Sequence, residues 1–146
     1  MATDFLDGQT TQALRLVLDT AALVLIWLVQ LVIYPAFLHF RNEDFKRWHP
    51  VYTRRVTYVV MPVMLGQLAL YGWRCLTGTT WDVALNTALI LLVWAITFFR
   101  AVPLHGSLDV DADHLPLSAR LLTVNWWRTG LWTIVWAVSV LGIFDW

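Results

Sequence analysis

Apolar residues gather into four long runs, at about residues 20–40, 56–73, 83–99 and 119–144, each flanked by charge or turn residues. Every run approaches the roughly 20 residues needed to cross a bilayer core of about 30 Å. Backbone groups in lipid must be paired within their own segment, so these runs predict helices. A membrane barrel would need alternating segments of about ten residues with turns between them, and the chain has no such alternation. The expectation is an all-α, integral membrane four-helix bundle forming one domain, its third span short and nearly upright.

The connections differ in character. RNEDFKRWHPVYTRR, between the first two runs, reads as a forward extension of the second helix. Asn42 is the expected cap, Glu43 and Asp44 occupy the first turn where the helix dipole favours carboxylates, and Pro50 and Pro62 are expected to kink the helix. RAVPLHGSLDVDADHLPLS, with two prolines, a glycine and three aspartates, reads as a loop ended by Ser118 as the cap of the fourth helix. Asp4 and Asp7 precede the first run where a signal peptide would be basic, so that run is expected to stay as a helix.

Composition narrows the class. Of 146 residues 59% are hydrophobic and 14% charged, and the mean hydropathy is +0.62. A soluble chain this short has no interior large enough for that apolar surface. The net charge of zero leaves no basic field for nucleic acid. A single cysteine, Cys75, excludes an internal disulfide and any CxxC motif. The basic residues are lopsided: Arg41, Lys46, Arg47, Arg54, Arg55, Arg100 and Arg120 fall on one side, against Arg15 and Arg74 on the other. The positive-inside rule puts the first set in the cytoplasm and both termini on the non-cytoplasmic side of the membrane. Trp48, Trp73, Trp81, Trp126, Trp127 and Trp146 lie near span ends, as interfacial anchors do.

All four histidines fall near the basic side. His39, His49 and His105, with Glu43, form a mixed nitrogen and oxygen set suited to iron or copper, since imidazole is the commonest metal ligand. His114 is set apart because DVDADHL reads as solvated loop. A second constellation lies in the fourth run. Arg128 sits about 15 Å along that helix with Asn125 one turn before it, and an ionisable residue at such depth marks a functional site. The competing reading has Arg128 snorkelling to the headgroups. His49, Thr53, Val56, Val60, Val63 and Gln67 share one helical face, as do Gln30 and Tyr34. Gln30, Gln67 and Asn86 are expected to join helices by hydrogen bonds, and Asp19 to meet Arg74 or water.

IYPAF (33–37), HPVYTRRVTYVVMPVMLGQL (49–68), VPLHGSL (102–108) and NWWRT (125–129) together resemble an uncharacterised family of short four-helix bacterial membrane proteins with Tyr-Pro, Pro-Leu-His and Asn-Trp-x-Arg-Thr motifs. The chain is distantly similar to the anthrone-oxygenase-like membrane family, whose members often have asparagine where His105 stands here. That similarity implies oxidation of polycyclic aromatic molecules. The leading expectation is therefore an oxidoreductase acting on an apolar small molecule that arrives from the lipid bilayer. His39, His49 and His105 would hold a metal or exchange protons, and Asn125 and Arg128 would orient an oxygen. The alternative is a non-catalytic accessory subunit of a homo-oligomer or larger membrane complex.

Overall fold

The computed structural model describes residues 8–111 and 113–142. Asp4, Asp7, Trp146 and the end of the fourth apolar run lie outside the described residues. Four helices account for nearly all of the rest: α1 (Gly8–Phe37), α2 (Asn42–Thr77), α3 (Trp81–Val110) and α4 (Leu115–Leu141). They run alternately up and down, and each packs on its neighbours in sequence while α4 closes the ring on α1. Short connections enforce this order, because helices joined by a few residues must lie side by side.

Three of the four, α1, α2 and α3, are long and apolar enough to cross a membrane. α4 is 27 residues, about 40 Å, but Asn125, Arg128 and four tryptophans lower its apolarity. It lies alongside α1 and α3 for most of its length, so it shares their depth. The exterior is apolar at mid-helix: Val24, Leu31, Leu91 and Ile134 are exposed, while Asp19, His49, Gln67, Asn86 and Asn125 are fully buried. A polar interior within an apolar surface is the arrangement lipid demands.

α2 begins at Asn42, as the forward extension predicts, with Glu43 and Asp44 in its first turn. Asn42 is not its cap, however. The boundary residue is Arg41, and the Asn42 amide instead meets His114. The segment after the third apolar run is also different from its expected loop. It stays helical to Val110, because Pro103 stands at the start of a fresh α-helical turn, where its missing N–H costs nothing. α4 starts at Leu115 with Pro116 in its first turn, so Ser118 is an interior residue and not a cap. Gly66 lets α1 approach α2: a Cβ there would lie 3.3 Å from Leu18.

Candidate functional site

Two prolines shape the site. Pro35 and Pro103 cannot give the N–H that a regular helix would send back four residues. In both helices the preceding turn widens to π-helix, at Val29–Ile33 and Thr97–Ala101. The Tyr34 N–H bonds the Val29 carbonyl and the Val102 N–H bonds the Thr97 carbonyl, each five residues back. Such a turn carries one extra residue and rotates everything beyond it around the helix axis. Tyr34 on α1 and His105 on α3 lie just past these turns, and both meet inside the bundle.

From there a hydrogen-bonded chain leads outward. Tyr34 Oη lies 2.9 Å from His105 Nε2, His105 Nδ1 lies 2.9 Å from His49 Nε2, and His49 Nδ1 lies 2.7 Å from Asp109 Oδ1. His49 is wholly buried, stacked near Phe45 and His105, whereas the Asp109 side chain is 37% exposed. Asp109 is one helical turn after His105 on α3, so the same helix supplies both.

On the inner side of Tyr34 stands Arg128, whose guanidinium interacts with the Tyr34 phenol. It does not snorkel, being only 7% exposed. Its Nη1 donates to Asn125 Oδ1 at 2.9 Å, and Asn125 Nδ2 in turn donates to Gln30 Oε1 at 2.9 Å. Thr129 ties its hydroxyl to the Asn125 carbonyl at 2.9 Å. Gln30 therefore joins helices as expected, and the same bond fixes the amide that holds Arg128.

Arg128, Tyr34 and His105 form one end of a cavity of about 280 Å³. Its other walls are mostly apolar, with Val29 from α1, Val56, Val60 and Met64 from α2 and Trp132 from α4 among them, and Tyr52 and Thr97 add hydroxyls to the lining. The α2 face read from the sequence is this wall, with His49 and Gln67 buried beyond its two ends. Thr53 and Thr57 of α2 and the exposed Phe98 and Val102 of α3 border the cavity, so it opens toward lipid between these helices. α2 and α3 pack on each other toward both ends, leaving that gap beside the π-turn of α3. Two buried donors in the lining, Arg128 Nε and Trp94 Nε1, have no partner among the described residues. An unpaired buried donor costs about 1–3 kcal/mol, so an oxygen-bearing occupant would be stabilised here.

Of the four residues expected to hold iron or copper, His49 and His105 meet, but His39 and Glu43 are exposed near the α1–α2 turn. The set does not converge, because the buried face of α2 passes through Phe45 and His49 and leaves Glu43 outside. Among the described residues no three His, Cys, Asp or Glu side chains are grouped to hold a metal ion. His114 stays apart from the histidine pair, though not as a solvated residue. It is 2% exposed, stacks on Phe45 at 4.1 Å and donates Nε2–H to the Phe37 carbonyl at 2.9 Å, clamping three helices.

The opposite end of the bundle holds a second polar core. Asp19 accepts from Gln67 Nε2 and Tyr71 Oη, both at 2.6 Å, and from Ser139 Oγ. Asn86 donates to Ser139 Oγ at 2.9 Å and to the Val135 carbonyl at 3.0 Å. Arg15, not Arg74, is the nearby cation: its guanidinium lies over the Tyr71 ring and bonds Asp82 at 2.6 Å. With Asp19 of α1 bonded from α2 and α4, and Asn86 of α3 bonded to α4, this cluster reads as the joint that registers the four helices.

Sequence reasoning paired Tyr34 with Gln30 on one face but gave it no chemistry, and it placed Asp109 in a loop. The His105–Asp109 spacing of four was the available signal. Comparison with family models, with curated proteins and with solved structures finds no match to this chain.

Proposed function

We propose that this protein is a membrane enzyme that takes a small apolar molecule from the lipid and exchanges a proton with an oxygen on it, the acid–base half of an oxidoreductase reaction whose electrons would pass to a separate small-molecule oxidant. One observation carries the reading: an apolar cavity, open toward lipid, ends at Arg128, Tyr34 and His105. Apolar walls would select the body of the molecule, and a few convergent polar groups would orient it. Arg128 is a donor-only fork that favours an oxygen bearing negative charge, and its burial strengthens that preference. Tyr34 faces the same oxygen, and with His105, which is bonded to its phenol, it supplies the acid–base half of the chemistry. Asn125 is a positioning residue here, because it holds Arg128 and does not border the cavity.

The basic residues Arg41, Lys46, Arg47, Arg54 and Arg55 are exposed on the end of α2 that carries His49. This favours the cytoplasmic face of a bacterial inner membrane for the site and the opposite face for the termini. Protein in lipid nanodiscs, titrated with 1-naphthol and with 1-methylnaphthalene, tests the reading. Charge-assisted hydrogen bonds contribute about 1.5–3 kcal/mol, so naphthol should bind roughly 10–100-fold more tightly. Arg128→Met should bring the two together. Equal binding to the unaltered protein would favour the accessory-subunit reading.

A further inference from the structure

The chain from Tyr34 to Asp109 has a direction. A carboxylate oxygen of Asp109 accepts, so His49 must present Nδ1–H to it. A neutral His49 then has Nε2 as its acceptor, which requires His105 to donate from Nδ1. His105 Nε2 is left as an acceptor, and the hydrogen that fills it is the phenolic proton of Tyr34. Each link is forced by the one before, and the only anchor is Asp109. The oxygen of Tyr34 therefore turns its lone pairs toward Arg128 and the cavity.

We infer that Asp109 is the proton port of this site, and that the relay it orients makes Tyr34 Oη an acceptor for a hydroxyl group on the occupant, such as a phenol or enol. This rests on the reading of the cavity as a substrate site. The hydroxyl donates to Tyr34 Oη. When its O–H bond breaks, the electron pair stays on the substrate oxygen beside Arg128, and the proton joins the Tyr34 oxygen. Tyr34 passes its own proton to His105 Nε2, His105 passes its Nδ1 proton to His49 Nε2, and His49 passes its Nδ1 proton to Asp109. One proton leaves the substrate and one reaches water; the residues between keep their charge, but both histidines pass from Nδ1–H to Nε2–H, and a proton returned along the same path from Asp109 to the product oxygen restores them. Asp109 is the member of the chain exposed at the protein surface, His105 is half-buried against the cavity, and His49 between them is wholly enclosed. Protons thus enter and leave on one side of the membrane.

The test uses the whole protein without ligand, so it stands apart from the binding experiment. Imidazole nitrogen NMR on histidine-labelled protein in nanodiscs reports which ring nitrogen carries the proton. His49 and His105 should both be Nδ1–H in the unaltered protein. Asp109→Asn keeps an acceptor for His49 but cannot take a proton. The rings should remain Nδ1–H, while exchange of the His105 proton with water slows by about 100-fold. Asp109→Leu removes the acceptor and should release both rings to the other tautomer. Nε2–H rings in the unaltered protein, or unchanged exchange in Asp109→Asn, would overturn the proposal. If these results hold while naphthol fails to bind, the relay stands and the substrate reading falls.

Discussion

Tyr34 and His105, 71 residues apart, share a hydrogen bond of 2.9 Å because each follows a π-turn set by a proline. The same device on two helices delivers an acid–base pair to one point. Restoring a regular helix should therefore separate them. Pro103→Ala supplies the missing N–H and allows α-helical bonding through residues 97–103. We expect stability equal to or above that of the unaltered protein, with the His105 tautomer no longer fixed and naphthol affinity lowered. Thermal unfolding and the titration, run on one preparation, check both halves.

Arg128 depends on its geometry as much as on its charge. It bonds Asn125 with one arm and faces Tyr34 and the cavity with the rest. A lysine keeps the charge but not the fork. Arg128→Lys should lose most of the naphthol preference, and Asn125→Leu should weaken it by about tenfold through misplacement of the guanidinium. Retention of full selectivity in Arg128→Lys would show that charge alone suffices.

His39 and Glu43 are exposed, whereas His105 lines the cavity and His49 lies directly behind it. His39→Ala and Glu43→Gln should leave naphthol binding within about twofold, as surface changes usually do. His105→Phe should lower it strongly at similar thermal stability. Loss of binding in the surface variants would restore the wider ligand set.

The Asp19 cluster should behave as a structural unit. Asp19→Leu strands donors on Gln67, Tyr71 and Ser139, and each buried donor left unpaired costs about 1–3 kcal/mol. Gln67→Leu removes a single interhelical bond and should cost only about 0.6–2 kcal/mol. Unfolding in mixed micelles measures both. Comparable losses would mean that Asp19 is not the centre of the cluster.

Gly66 marks the closest approach of α1 and α2, where a Cβ meets the tip of Leu18. Leu18 is flexible, so Gly66→Ala should be nearly neutral. Gly66→Leu should cost about 1–3 kcal/mol by overpacking, seen as an earlier unfolding midpoint.

The hydrophobic pattern by itself determined the helical class, the approximate places of the four helices and the α2 face from His49 to Gln67, because lipid imposes one rule on every residue of a span. It also marked Arg128 and Asn125, since a charge within an apolar run stands out without any neighbour. Tertiary structure decided that Arg128 turns inward, that His49 meets His105 while His39 and Glu43 stay outside, and that Asp109 ends the chain. The reason is phase. Spacing along one helix assigns residues to a shared face but not that face to a partner. The π-turns at Val29–Ile33 and Thr97–Ala101 also shift the faces beyond them by one residue. A periodicity that assumes an unbroken α-helix carries no trace of that shift, and it is the shift that brings Tyr34 and His105 together.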